Sequence, residues 1–305
     1  MKIDWQKIWI KSVEYFFHCS SLLPMWFHYI LSTLMFPILY WVVRYRRKTV
    51  RENLRASFPE KSKWELSQIE RRFYGFFCDY IVETCKLVTI SKKNIMRRMT
   101  FEGIEEMKKS FDNHDLAILY LGHFGNWEWI STIRLWTGEI NTAQLYKPLR
   151  NAGFDSIFYK LRSRFGGENI PKDDALRRIV KYKAENKKTL IGFISDQSPK
   201  PQSIHDWVMF LNQPTPVFTG AERIAKKMNC AVYYADVTRL KRGHYHCKLV
   251  RMTDDATSMP NWQLTEEYMR LMEQSIQRQP ELWLWSHKRW KHKELVPKDF
   301  KDKKN

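Results

Sequence analysis

The chain has 305 residues, 44% of them hydrophobic, with 11 glycines and 12 prolines; this is enough apolar content for one sizeable core and excludes a low-complexity protein. Lys plus Arg number 52 against 33 Asp plus Glu, a formal net charge of +19, which implies a polyanionic partner. Thirteen tryptophans beside that charge favour an anionic membrane surface over a nucleic acid, because aromatic side chains gather where one end is apolar and the other wet.

From Tyr15 to Val43 there is no Asp, Glu, Lys or Arg. The stretch LLPMWFHYILSTLMFPILYWVV (22–43) would measure about 33 Å as a helix, against a hydrocarbon thickness of roughly 30 Å. Trp26, Tyr29, Tyr40 and Trp41 suit an interfacial belt, and the basic run RYRRKTVR that follows is expected to stay cytoplasmic. The run is too long for a signal peptide and no small-residue cleavage site follows it. Pro24, His28 and Pro37 interrupt it, so a tilted span and an interfacial helix both satisfy the pattern. The expected organisation is a membrane anchor and basic juxtamembrane segment over 1–50, a main domain over 51–293, and a basic tail over 294–305.

Beyond the anchor, Leu66, Ile69, Phe73, Phe76, Phe77, Tyr80 and Ile81 recur at helical spacing, and Ser62 with Glu65 predicts a capping box at that helix's start. DLAILYLG is a continuous apolar run of strand length, as a strand buried on both faces requires. NWEWISTIRLW then reads as a helix capped by Asn126. DDALRRIVKYKAENKK is an amphipathic helix leading into a second buried strand, TLIGFIS, which ends at Asp196. Thr219 and Glu222 have capping-box spacing at the start of TGAERIAKKM. Strands AVYYADVTRL and HYHCKLVRM and a final helix, WQLTEEYMRLMEQSIQRQ, complete the pattern. Helices alternating with buried strands predict an α/β sheet covered on both faces, with ligands beyond the carboxyl ends of its strands. His123 and Asp196 both fall at that edge.

The segment LGHFGNWEW carries the chemistry. His123 and Glu128 would be about 500° apart on a regular helix. They converge only if His123 lies on the turn and Glu128 in the first helical turn, and Gly122 and Gly125 permit such a turn. His123 would then serve as general base, Glu128 would accept a hydrogen bond from the other ring nitrogen, and free N–H groups at the helix start would stabilise an anion. No Gly-x-Ser-x-Gly elbow is present and no cysteine lies nearby, so the histidine would act on a substrate hydroxyl directly. By spacing alone a satisfied strand-end histidine and a dipole-favoured carboxylate explain the same residues.

Other features divide the same way. Arg162 and Arg164 precede Gly166-Gly167 and would clamp a phosphate or carboxylate, or stand as solvated loop residues. Phe210 and Pro214, in FLNQPTPVFTG, would shape a pocket or merely form a turn. Trp283, Trp285 and Trp290 with His287, Lys288, Arg289, Lys291 and Lys293 would dock anionic headgroups, or combine a tryptophan core with a basic tail. His244 and His246 share one strand face with no acidic ligand set, so no metal site is expected there. Five cysteines, an odd number with no Cys-x-x-Cys, argue against a disulfide framework and a Cys-based zinc site and suit a reducing, cytoplasmic setting.

LGHFGNWEW resembles the H-x4-D/E signature of membrane glycerolipid and lipid A acyltransferases, and YRRKTVRENLRASFPEKS, GFISDQSP, FLNQPTPVFTGAERIAKKMNCAVYYADVTR and PELWLWSHKRWK resemble, in order, blocks of the lipid A biosynthesis lauroyl and myristoyl transferases. The resemblance spans about residues 20 to 292. It implies a glycerol-3-phosphate-acyltransferase-like α/β fold: a mixed sheet covered by helices on both faces, with an N-terminal membrane-anchoring helix. It further implies an acyl-acyl carrier protein donor and, as acceptor, a hydroxyl of a Kdo-bearing lipid A precursor at the cytoplasmic face of the inner membrane. No metal, cofactor or nucleic acid is implied. His123 would be the base and Glu128 its partner; Arg164 would bind an anion near the site, Asp196 would be a supporting acid at the pocket edge that orients an active-site group or merely ends its strand, and Arg162 and Asn126 would join them in the substrate site. An amino-acid lipid or glycolipid acceptor uses the same chemistry. The reading from another class, a basic membrane-associated nucleic-acid-binding protein, lacks any helix-turn-helix, zinc-finger or ribonucleoprotein signature.

Overall fold

The computed structural model describes residues 5–298 and 300, so the end of the expected basic tail lies outside the described residues. Helices α1 (Trp5–Leu22) and α2 (Met25–Pro37) meet at Pro24, whose φ of −65° and missing N–H suit the break. Pro37 withholds a backbone donor in turn, and the chain widens into a π-helical turn over Ile38–Val42. Met25–Val42 is apolar and long enough to cross a membrane by composition. After α3 (Arg47–Ser57), helix α4 (Lys63–Lys86) begins with the expected capping box: Ser62 Oγ accepts from Glu65 N, and Ser62 N donates to the Glu65 carboxylate.

The remaining elements follow in chain order as α5 (Lys92–Arg98), β1 (Met99–Glu102), α6 (Ile104–Ser110), β2 (Leu116–Leu121), a 3-10 helix (Trp129–Leu135) and β3 (Asn141–Tyr146). Next come α7 (Ala152–Ser163), β4 (Glu168–Pro171), α8 (Ala175–Ala184), β5 (Thr189–Ile194), β6 (Trp207–Phe210) and β7 (Gln213–Pro216). α9 (Gly220–Met228), β8 (Ala231–Lys241), β9 (His244–Thr253) and α10 (Gln263–Arg278) close the series.

Seven strands form one sheet in the order β1-β9-β8-β2-β5-β3-β4; all neighbours are parallel except the β8–β9 hairpin, so the sheet is mixed. All six residues of β2 are buried, as its unbroken apolar run requires of a strand covered on both faces. Strands β1, β3 and β4 carried no such run. They are short or half-polar and belong to the flanks of the sheet.

Two local expectations are corrected. The helix expected in NWEWISTIRLW is present over residues 129–135 but begins only at Trp129 and is wound as a 3-10 helix. The tryptophans flanking Glu128 go to different partners, Trp127 stacking on Tyr80 at 4.0 Å and Trp129 meeting Tyr245 edge-on at 5.7 Å. Ser131 and Thr132 also bond back to the carbonyls three residues earlier, which tightens the winding. Thr219 makes no capping bond. Its expected partner Glu222 is fully buried and turns to α10, where it accepts from Trp262 N, Thr265 N and Thr265 Oγ1 and satisfies donors at that helix start.

The turn after β2 depends on Gly125, which has φ +59° and would place an added Cβ 2.9 Å from Val237 Cγ1. Gly138, at φ +65°, has open space around the same position. Gly138→Ala should therefore lose only the left-handed backbone cost, about 1–2 kcal/mol. Gly125→Ala should lose clearly more in denaturant unfolding, and equal losses would remove Val237 from the account.

Candidate active site

The parallel register of β2 with β5 pairs Leu116 with Thr189 and Leu121 with Ile194. The same 73-residue offset carries His123 to Asp196 just beyond the strand ends. His123 Nδ1 lies 2.7 Å from Asp196 Oδ1, and the His123 backbone N–H donates to Oδ2 at 3.0 Å. Trp283 Nε1 donates to the same Oδ2 at 2.8 Å. Asp196 is buried; burial by itself would raise its pKa, but the His123 ring and these hydrogen bonds outweigh it and bring the carboxyl down to about 2. An acceptor-only carboxylate at Nδ1 assigns the proton to that nitrogen and leaves Nε2 with its lone pair.

His123 Nε2 accepts from the Gln197 side-chain amide at 3.2 Å, and the ring meets Trp127 edge-on at 5.3 Å. The side chain retains 21% of its exposure, the accessibility a reacting group needs. The histidine turn is also pinned from outside the sheet. Gly125 N donates to Leu282 O at 3.0 Å, Leu284 N donates to His123 O at 3.1 Å, and Phe124 bridges to Trp283. Gly122 contributes room: an added Cβ would lie 2.6 Å from Met272 Sδ.

Glu128 is not the partner of His123. It is buried and forms a two-pronged ion pair with Arg162 of α7, Nε to Oε2 at 2.8 Å and Nη2 to Oε1 at 2.6 Å. The left-handed turn at Gly125 and the cap at Asn126 carry the chain away from the imidazole before Glu128 is reached. Burial disfavours the Arg162 charge, but the Glu128 carboxylate more than compensates and holds the guanidinium above its usual range.

The other expected substrate contacts also sort by geometry. Asn126 is fully buried and spent internally: Oδ1 accepts from Trp129 N at 3.2 Å and Nδ2 donates to Glu83 Oε2 at 2.8 Å. Asp196 is likewise sealed, and its oxygens meet His123 and Trp283 rather than open solvent. Arg164 is exposed, and its Nη1 donates to Leu87 O at the carboxyl end of α4. In the C-terminal segment Trp283, Trp285 and Trp290 are core residues and Arg289 is fully buried, while Lys288, Lys291 and Lys293 face solvent. His287 is held neutral, burial pushing it down to about 4. Phe210 packs between Trp283 and Trp290 as core. Among the described residues no group of three or more His, Cys, Asp or Glu is arranged to hold a metal ion.

One acid escaped the sequence reading. Glu83, on the inner face of α4, accepts from Asn126 Nδ2 and Tyr245 Oη at 2.8 Å each and from Tyr29 Oη at 3.1 Å. Burial pushes it up to about 7. Its signal was an acid on the apolar stripe of an amphipathic helix, one turn from the similarly placed Asp79.

These features define an α/β protein whose sheet edge carries a histidine–carboxylate pair, with no serine or cysteine hydrogen-bonded to the histidine among the described residues. The family model described as bacterial lipid A biosynthesis acyltransferase matches residues 16–292, and the chain belongs to that family. It is similar to lipid A biosynthesis acyltransferase 2 of Shigella flexneri, 21% identical over 250 residues that cover 80% of this chain and 78% of that protein. It is also similar to a lipid A biosynthesis acyltransferase of Haemophilus influenzae, 22% identical over 138 residues, 45% of this chain and 43% of that one.

Two outcomes follow from the buried charges. Arg162→Ala strands Glu128 without a partner and should cost about 3–5 kcal/mol, with much of the loss restored when Glu128→Gln is added; no rescue in thermal unfolding would sink the pairing argument. Glu83 has a folded pKa near 7 against 4.5 unfolded, so the folded state holds the extra proton between those values and stability falls as pH rises through them, by about 3 kcal/mol in total. Glu83→Gln should flatten the slope of melting temperature against pH over that window.

Proposed function

We propose that this protein moves a fatty acyl chain from acyl-acyl carrier protein to a hydroxyl of an anionic lipid A precursor at the cytoplasmic face of the inner membrane. The observation that carries the mechanism is the His123–Asp196 pair, with Nδ1 engaged at 2.7 Å and a side chain that keeps 21% of its exposure; the acceptor hydroxyl would take the place of the Gln197 amide at Nε2. Nε2 takes the proton of the acceptor hydroxyl as its oxygen attacks the thioester carbonyl. Asp196 holds the imidazole in the required tautomer and stabilises the imidazolium that forms. The tetrahedral intermediate collapses with cleavage of the C–S bond, and the imidazolium returns its proton to the departing thiolate. The acyl chain thus passes directly to the acceptor without an acyl-enzyme.

The supporting residues have distinct tasks in this reading. Gln197 is the amide donor beside the reacting nitrogen and is positioned to steady the developing oxyanion. Glu128 and Arg162 fasten the histidine turn to α7, so that Glu128 supports the site without touching the imidazole. Arg164, exposed just after α7 and bonded to the end of α4, offers a cation to the acceptor's acidic groups. The surplus of 52 basic over 33 acidic residues suits both an acidic carrier protein and a phosphorylated, Kdo-bearing lipid.

His123→Ala should lower turnover about 10²–10⁴-fold with the fold intact. Asp196→Asn should fall by a comparable factor, because an amide at Nδ1 no longer enforces the tautomer. Mass spectrometry of lipid A from cells lacking the protein should reveal one missing acyl chain, restored by wild type and by neither variant. Restoration by His123→Ala would overturn the mechanism; unchanged lipid A in the deletion, with no sister enzyme present, would move the acceptor to an amino-acid lipid or glycolipid.

A further inference from the structure

We infer that α1 and α2 form a monotopic platform that seats in one leaflet of an anionic membrane, rather than a bilayer-crossing helix preceded by a segment on the far side. The inference uses the contacts of the two helices and stands apart from the acyl-transfer reading.

One face of α2 is committed to polar partners in the main domain along its length. Ser32 Oγ donates to Asp79 Oδ1 at 2.6 Å, and Tyr29 Oη donates to Glu83 Oε1 at 3.1 Å. Arg242, in the turn of the β8–β9 hairpin, donates to Tyr29 O at 3.2 Å, Ser32 Oγ at 3.2 Å and Thr33 Oγ1 at 3.3 Å while also pairing with Asp79. Residues 32 and 33 lie at the middle of the apolar stretch Met25–Val42. If that stretch crossed a bilayer, Asp79, Arg242 and Arg239 would sit near the hydrocarbon midplane together with the end of an open sheet. The partly exposed Arg242 and the hairpin turn that carries it would then face lipid, where irregular backbone does not occur and where charges face protein or water instead.

The first helix makes the same point. Glu14 accepts from Ser156 Oγ and Lys160 Nζ of α7, both at 2.6 Å, and Phe17 meets Phe154 edge-on. Ser21 O, at the joint between α1 and α2, accepts from Thr89 Oγ1 and Lys86 Nζ. α1 is therefore docked on the same domain that holds the site, and cannot stand across a membrane from it.

Among the described residues the opposite face of α2 is apolar and open. Trp26, Ile30, Leu34, Ile38 and Trp41 are 64%, 47%, 61%, 53% and 54% exposed, a stripe at three- and four-residue spacing along one side of α2 and its π-helical extension. Tyr15, Phe16 and Leu22 are exposed on α1. Exposed basic residues adjoin this surface: Arg44 and Arg46 directly follow α2 and its extension, and Arg242 reaches α2 from the hairpin. A cleft of about 240 Å³ between Trp26, Ile30, Leu34 and Arg242 sets a cation beside the apolar stripe, the combination an anionic lipid headgroup and its chains would fill. Aromatic bodies inserted to headgroup depth with cations at the rim are how a helix lies in a membrane surface.

The test is topological. Protease-cleavable epitopes are joined ahead of residue 1 and after residue 305 of the full chain, in membranes prepared in both orientations. Both epitopes should be cut in inverted vesicles and neither in right-side-out ones; cleavage on opposite faces would overturn the platform. Both cut only from the outer face would keep the platform and sink the functional reading instead. Independently, purified protein should float with vesicles containing phosphatidylglycerol and lose most of that flotation when Trp26→Ser and Leu34→Ser are combined; flotation unaltered by the pair would remove this face from the contact.

Discussion

The parallel pairing of β2 with β5 is the constraint on which the site depends. It brings together two residues 73 positions apart by extending a strand register by two steps, from Leu121–Ile194 to His123–Asp196. A one-residue slip would turn each buried strand over and separate the pair. Burial of both strands on both faces makes that slip costly. The chemistry of the edge is thus set by the packing of the most apolar part of the chain.

Around that pair, buried charge is resolved in three different ways. Asp196 is surrounded by donors and stays ionised far below neutrality. Glu128 receives a guanidinium in a two-pronged pair. Glu83 has hydroxyl and amide partners with Arg239 only as a weaker influence, and so burial wins and its carboxyl titrates near 7. The three acids tie different elements to the histidine turn: β5 and the C-terminal segment through Asp196, α7 through Glu128, and α4 with α2 through Glu83 and Asn126. Helix α2 and the turn that carries His123 therefore share one buried carboxylate.

The same economy explains why the C-terminal tryptophans are not a lipid-binding patch. Trp283 donates to Asp196 and packs against Trp285, Trp290 and Phe210, with Trp290 also stacking on Phe210. Several of the exposed aromatic residues lie instead at the other end of the chain, Tyr15 and Phe16 on α1 and Trp26 on α2.

Much was determined by the sequence alone. The apolar runs located β2, β5, β8 and β9; the Ser62–Glu65 spacing located the start of α4; and the polar residues ending the two buried strands marked the edge where His123 and Asp196 meet. These are local signals, carried by side-chain period and by backbone capping. What the tertiary structure decided was pairing. Spacing along the chain made Glu128 the natural partner of His123, but one left-handed glycine and the register of a strand 73 residues away assigned that place to Asp196. The fates of Glu222, Glu83 and the C-terminal tryptophans turned on contacts between distant elements in the same way. A sequence specifies which groups must be buried and where strands end; which buried group satisfies which is settled only when the elements pack.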